Sequence, residues 1–243
     1  MNISDASITG ALSLGFVLGL RHALDSDHIV AVSTIVSEHK SFTRSSLVGT
    51  FWGLGHTASL FAVGVIILLL KISIPEHVKP WMEMPVALML IALGVNATFR
   101  ATRESRWRIH KHVHSHDQQS EHVHVHLHNS DEHNHEHRLF RMGRRPFIVG
   151  LIHGFAGSAA VTLAALATVP TIALGLTWIL VFGIGSIGGM LLMSATISLP
   201  FIVTARRFSA INGAIRLVAG LFSIIFGLMI AWTLFGEIGR FNS

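Results

Sequence analysis

The chain lacks cysteine and tyrosine, and charged residues are scarce in it. Of its 243 residues 51% are hydrophobic and only 13% are charged. Soluble domains carry about a quarter of charged residues. The absence of cysteine excludes disulfides, thiolate metal sites and cysteine nucleophiles. Because backbone in lipid must satisfy its own hydrogen bonds, this composition predicts an all-α integral membrane protein.

The basic charge balance does not indicate nucleic-acid binding. The formal net charge is +5, but aromatic residues do not interleave with the basic ones as on a nucleic-acid surface. We therefore expect the lipid bilayer, and not nucleic acid, as a partner. The N-terminal MNISDASITG lacks the basic region of a secretory signal, so we expect it to be retained.

Six apolar stretches predict six transmembrane helices. The first and fifth exceed the about 20 residues that a bilayer requires, so we expect tilt or breaks in them, with Pro200 marking the end of the fifth. Two membrane halves, 1–100 and 147–243, flank a polar loop at 101–146. The predicted spans are 7–36, 46–70, 82–99, 147–169, 172–203 and 211–235.

Lysine and arginine concentrate on one side of this predicted bundle. Fourteen of the eighteen lie in the connections 36–46, 100–146 and 204–216. The positive-inside rule then predicts a cytoplasmic central loop and external termini, in the cytoplasmic (inner) membrane.

The two halves carry traces of a three-plus-three duplication. An odd number of spans per unit inverts the second unit, as in many secondary transporters that bind substrate near the midplane. Chance recurrence in glycine-rich helices is the alternative. The matched segments, at offsets of 131, 130 and 133, are Gly19-Leu20-Arg21-His22 with Gly150-Leu151-Ile152-His153, Gly53-Leu54-Gly55 with Gly183-Ile184-Gly185, and Leu93-Gly94 with Phe226-Gly227.

The most informative segment is 21–29, Arg-His-Ala-Leu-Asp-Ser-Asp-His-Ile, with five ionisable side chains inside the first span. Each intramembrane charge costs on the order of 3 kcal/mol, so such charges are seldom kept without a function. Imidazoles and carboxylates are ligands of divalent transition metals. On a regular helix His22, Asp25 and His28 share an arc of about 120°. Asp27 joins them only if the helix is broken, and His56 is expected to approach from the second span.

Structural roles are the alternative for each of these side chains. Arg21 and Asp25 are i,i+4 neighbours that can neutralise each other. Asp27 or His28 can cap a helix break, and His56 can hydrogen-bond across a helix interface. The cluster as a whole favours a metal or proton site, because its net charge of −1 with neutral histidines suits a divalent cation.

Eleven of the seventeen histidines lie in the central loop, mostly spaced as His-x-His. Such tracts are typical of metal binding, and the loop has too few apolar residues for a core. We predict a disordered segment that buffers metal; accidental bias in a linker is the alternative. These histidines are His110, His112, His114, His116, His122, His124, His126, His128, His133, His135 and His137.

Two motifs resemble those of the nickel/cobalt transporter family of prokaryotic permeases. Its His-x4-Asp-His signature reads His22 to His28 here, and Leu54-Gly55-His56-Thr57 resembles its second motif. The resemblance implies ATP-independent transport of Ni²⁺ or Co²⁺, with no catalytic cofactor. It implies a metal site formed by His22, Asp25, Asp27, His28 and His56, to which the repeat adds His153.

The second half departs from the family pattern. Where the family has Gly-Phe-Asp-Thr-Ala-Thr-Glu, residues 154–160 read Gly-Phe-Ala-Gly-Ser-Ala-Ala, and the acids of the motif at 189–198 are also missing. In this the chain is similar to the shorter branch that includes urease-associated nickel permeases, which implies a functional link to nickel enzymes such as urease. We expect the first half to supply most of the ligands.

Metal uptake is the function that the sequence favours. A divalent ion that enters down about 100 mV gains roughly 4.6 kcal/mol, and no ATP-binding motif is visible. Efflux, with the histidine-rich loop loading the exporter, is the first alternative. A metal-binding membrane sensor or assembly subunit is the second. We do not expect an enzyme, since no HExxH motif or separate general base accompanies the cluster.

Overall fold

The computed structural model describes residues 5–39, 41–70, 74–106, 142–157 and 171–242, and nearly all of these residues lie in helices. The predicted all-α class is confirmed for this part of the chain. The histidine-rich tract predicted at 110–137 lies outside the described residues. The helices are α1 (Asp5–His22), α2 (Ser26–Val36), α3 (Phe42–Leu70), a 3-10 turn (Glu76–Val78), α4 (Lys79–Arg106), α5 (142–157), α6 (Ile172–Arg207) and α7 (Ser209–Asn242).

Four helices (α3, α4, α6 and α7) are long and apolar enough to cross a membrane, and α1 with α2 makes a fifth span if that bent pair counts as one. The predicted span at 147–169 is described only as far as residue 157, in α5. Pro200, predicted to mark the end of the fifth span, lies inside α6, which continues to Arg207. Membrane helices tolerate an internal proline since neighbouring groups satisfy the freed backbone.

The first span breaks at its charged segment, as the sequence predicts. α1 ends at His22 and α2 begins at Ser26, and the two helix axes differ by 53°. In the break the amides of Leu24 and Asp25 donate to the carbonyls of Arg21 and His22, three residues back. These tight bonds close a turn in place of a continuous α-helix. At the break His22 contacts α3 and Asp27 contacts α5.

Glycines allow the long helices to approach closely. α1 runs parallel to α6, where a Cβ on Gly19 would meet the carbonyl of Phe182 and one on Gly185 would meet that of Phe16. Small residues at such crossings let membrane helices pack backbone against backbone. A side chain at either glycine would separate α1 from α6.

The same kind of contact joins α3 to α5. A Cβ on Gly150 would meet the carbonyl of Trp52, and one on Gly55 would meet that of Phe147. α4 and α7 cross in antiparallel directions. An ideal Cβ on Gly94 would lie 2.5 Å from the carbonyl oxygen of Gly220, and one on Gly227 would lie 2.9 Å from that of Ala87.

These contacts correspond in pairs under the sequence offsets noted above. At an offset of 131, Phe16 and Gly19 match Phe147 and Gly150. At an offset of 130, Trp52 and Gly55 match Phe182 and Gly185. At an offset of 133, Ala87 and Gly94 match Gly220 and Gly227. α3 and α6, which correspond under the offset of 130, run antiparallel: Gly53 lies against Ile187, and Gly183 against Thr57.

The main apolar core lies where α2 meets α3, α4 and α6, and a smaller one lies where α1, α3 and α6 meet. Trp52 and Met190 are fully buried in the larger core. Trp52 also borders the polar cluster at the α1–α2 break, so apolar packing and the polar side chains meet along α3.

Candidate metal centre

Four helices bring six polar side chains together around the α1–α2 break. One lies at the end of α1, one lies in the break, and two lie in the first turn of α2. α3 and α5 each supply one more. They are His22, Asp25, Asp27, His28, His56 and His153, the residues that the sequence predicts for a metal site.

His22 links the break to α3. Its Nε2 lies 3.2 Å from Nε2 of His56, and its Nδ1 lies 2.7 Å from Oδ2 of Asp25. Two facing ring nitrogens at this distance share a proton, or both turn their lone pairs toward a cation. Asp25 orients the His22 ring in the way that carboxylates orient metal-ligating histidines.

Asp27 links α2 to α5. Its Oδ1 accepts the backbone N–H of His28 at 3.0 Å and lies 3.2 Å from the ring Nδ1 of the same residue. Its Oδ2 lies 2.8 Å from Nε2 of His153. One carboxylate therefore positions two imidazoles from different helices, and its place in the first turn of α2 is favourable for a negative charge.

The side chains form two overlapping groups with the spacing of metal ligands. One contains His22, His28 and His56, and the other contains Asp27, His28 and His153; in each group the ligand atoms lie within 4.8 Å of one another. The ring centroid of His28 lies 4.7 Å from that of His22 and 4.0 Å from that of His153. His28 is thus common to both groups.

Burial leaves several ring nitrogens without protein partners. His28 and His56 are fully buried and His153 nearly so. Within the described ranges, Nε2 of His28, Nδ1 of His56 and Nδ1 of His153 have no hydrogen-bond partner. Buried polar atoms without partners are costly. A divalent cation or its bound water would satisfy them, so the donor set fits a borderline-hard transition metal.

The cluster is closed on its histidine side and open at the break. The Asp25 side chain is 53% exposed and that of Asp27 31%, whereas that of His28 is 1% exposed. The carboxylates are thus more exposed than the imidazole of His28.

Two aromatic side chains that the sequence did not assign to the site pack on the imidazoles. The Trp52 ring stacks at 6.1 Å from that of His28 and lies 5.9 Å from that of His153. The Phe182 ring lies 5.4 Å from that of His22. Phe182 follows Trp52 by 130 residues, so the repeat offset could have related one of these residues to the other.

The structural roles that the sequence offered as alternatives for Asp25 and His56 can be compared with the contacts of these residues. Asp25 pairs with His22, and in the part of the chain that the structure describes no ion pair joins it to Arg21, so that alternative is wrong. The helix break removes the i,i+4 geometry on which the pairing depends. Asp25 is the N-cap residue of α2 but its side chain makes no capping hydrogen bond. His56 does hydrogen-bond across a helix interface, to His22.

Comparisons with known proteins indicate the family of the chain. A family model described as high-affinity nickel-transport protein matches residues 8–231. The urease accessory protein UreH of Bacillus sp. (strain TB-90) is 36% identical over 99% of this chain and 98% of its own length. No solved structure matches the chain significantly.

Two Arabidopsis thaliana proteins are also similar. Chloroplast protein FOR GROWTH AND FERTILITY 2 is 24% identical over 72% of this chain and 44% of its own length. Chloroplast protein FOR GROWTH AND FERTILITY 1 is 35% identical over 33% of this chain and 22% of its own length. The chain thus spans less than half of either plant protein.

The match to the family model covers nearly all of the chain, and the resemblance seen in the two histidine motifs is confirmed. The long apolar helices agree with a multi-pass membrane protein. The chain belongs to the family of high-affinity nickel-transport proteins.

Proposed function

We propose that the chain carries Ni²⁺ into the cell across the cytoplasmic membrane without ATP, and that the ion binds at the cluster described above. The observation that carries the proposal is the convergence of four histidines, one each from α1, α2, α3 and α5, in two ligand groups that share His28, with Asp27 in one of them. Membership in a nickel-transport family supplies the substrate class.

The chemistry of the cluster suits a transported ion. Imidazole nitrogens bind Ni²⁺ and Co²⁺ well, and the carboxylates offset part of the charge. Because His28 belongs to both ligand groups, an ion can pass from Asp27 and His153 to His22 and His56 while it remains bound to His28. Exchange of ligands one at a time keeps the barrier to release low.

The same proposal includes six spans arranged as two inverted halves. The paired glycine contacts and the antiparallel course of α3 and α6 support an inverted repeat. Glu38, at the end of α2, lies 3.3 Å from Arg100 on α4 and from Arg145 on α5, so the basic helix ends lie on one face. That face, with the histidine-rich loop, is cytoplasmic by the positive-inside rule, and the termini are external.

The membrane potential suffices to drive uptake. Two charges that move inward across about 100 mV gain roughly 4.6 kcal/mol. Co²⁺ would fit the same donors, but the relative UreH is called a urease accessory protein. Ni²⁺ destined for a nickel enzyme such as urease is therefore the substrate that we propose.

The test is ⁶³Ni²⁺ accumulation in cells and in proteoliposomes that carry the wild-type chain, His28→Ala or His77→Ala. His77 lies in the 3-10 turn, outside the cluster, and is the matched control. We expect uptake with the wild type and the control, and none with His28→Ala. A fall in cellular nickel would indicate efflux, and binding without flux would indicate a sensor; either result would overturn the proposal.

A further inference from the structure

Ser186, on α6, is a buried hydroxyl that the cluster described above does not include. It is fully buried, and its Oγ has no hydrogen-bond partner among the residues that the structure describes. A buried hydroxyl without a partner is unfavourable and requires an explanation. Serines in membrane helices usually bond their own backbone, as Ser198 does with the carbonyl of Ala195 at 2.6 Å.

The position of Ser186 in α6 corresponds to that of His56 in α3. Ser186 follows His56 by 130 residues, the offset that also relates Trp52 to Phe182. The backbone contacts correspond too. An ideal Cβ on Gly150 would lie 2.9 Å from the amide nitrogen of His56, and one on Gly19 would lie 3.0 Å from that of Ser186.

The rings around the two positions correspond as well. His153 lies 5.9 Å from Trp52, one turn before His56, and 5.8 Å from His56 itself. In the other half His22 lies 5.4 Å from Phe182, which is one turn before Ser186. Ser186 thus occupies, where α6 meets α1, the position that His56 occupies where α3 meets α5.

We propose that Ser186 is a further residue of the ion site, with its hydroxyl as a neutral oxygen donor at the place where the first half has the His56 imidazole. The inference rests on the proposed function, because it adds a residue to that site. A hydroxyl binds a divalent transition metal more weakly than imidazole does. Ser186 thus gives the ion an oxygen contact on α6 that it can leave easily.

The test introduces a thiol, because the natural chain has no cysteine. Ser186→Cys places a soft ligand for Cd²⁺ at the proposed position. Ser194→Cys is the matched control: Ser194 is on the same helix, fully buried and without a hydroxyl partner. It lies against α3, where an ideal Cβ on Gly49 would be 2.5 Å from its Oγ.

We expect the Cd²⁺ concentration that halves ⁶³Ni²⁺ uptake to fall about tenfold or more in Ser186→Cys, since thiolates prefer soft metals. It should not change in Ser194→Cys. An equal shift in both variants, or in neither, would overturn the inference.

Ultraviolet thiolate-to-Cd²⁺ absorption of the purified variants gives a readout that does not need transport. We expect the absorption in Ser186→Cys, and its loss when His56→Ala is added, because His56 would bind the same ion. If this pattern appears while the wild type moves no nickel, the proposed function fails and the place of Ser186 in the ion site stands. If the wild type transports nickel and the absorption is missing, the inference about Ser186 fails alone.

Discussion

Asp27 and Asp25 provide a test of the proposed site within three residues of sequence. Each is changed to asparagine, which keeps the shape of the side chain and removes its charge. Asp27 touches two histidines, at 3.2 and 2.8 Å, and its side chain is 31% exposed. Asp25 touches one histidine, at 2.7 Å, and is 53% exposed. The two substitutions are therefore alike in chemistry and different in position.

The expected magnitudes follow from exposure. A divalent ion about 4 Å from a carboxylate gains about 2 kcal/mol in water and about 8 kcal/mol at an effective dielectric constant of 20, before desolvation is subtracted. Because the Asp25 side chain is mostly exposed, its interaction energy with the ion should be near the value in water. Groups that orient metal ligands typically contribute about 10- to 100-fold in affinity. We expect Asp25→Asn to weaken Ni²⁺ binding about tenfold and Asp27→Asn about 100-fold or more.

The assay is isothermal titration of purified protein with Ni²⁺, together with initial rates of ⁶³Ni²⁺ uptake. Circular dichroism of both variants verifies that the helices are retained. Equal losses of affinity, or a larger loss for Asp25→Asn, would refute the assignment of Asp27 as the central carboxylate.

Three further predictions concern packing and the central loop. Gly19→Val should lower the free energy of unfolding by about 1–3 kcal/mol, because its Cβ meets the carbonyl of Phe182. Gly10→Val, where a Cβ meets nothing within 4 Å, should change it by less than about 0.5 kcal/mol, and equal effects in denaturant titrations would contradict this. Glu38→Gln should lower the melting temperature by about 2–4 °C. The Glu38 carboxylate accepts from the side-chain amide of Asn96 at 3.0 Å and pairs with exposed arginines of α4 and α5. An unchanged melting temperature would show that these contacts contribute nothing to stability. Deletion of residues 110–137 should alter the apparent affinity for nickel and preserve transport, and abolished ⁶³Ni²⁺ uptake would show that the loop forms part of the pathway.

The sequence was sufficient to predict tilt or a break in the first span and the polar residues that lie near it. Five ionisable side chains are costly on a lipid-facing helix, so a break in this charged segment is one way to avoid that cost. Hydropathy could not predict that α6 continues through Pro200, because the cost of an internal proline depends on what neighbouring helices supply. The pairing of Asp25 with His22 in place of Arg21 likewise depends on the bend, which i,i+4 reasoning presupposes to be absent.

The contribution of the second half was the hardest to predict. His153 was accessible only through the repeat, and Phe182 and Ser186 resemble ordinary membrane-helix residues when read alone. Their significance depends on which α6 face meets α1, and close glycine contacts determine that face. No local pattern in residues 172–207 records it.

The helix pairing has a consequence for how the protein is made. α1 packs mainly on α6, α3 packs on α6 and α5, and α4 packs on α7. Each long helix of the first half therefore has its main packing partner in the second half. Ribosomes add roughly 5–20 residues per second, and several seconds therefore pass between insertion of α1 and arrival of α6. In that interval the glycine faces of α1 and α3 lack their α6 partner, and Asp27 lacks His153 until α5 has been made. The packing of the first half is therefore completed only after residues 172–242 have emerged.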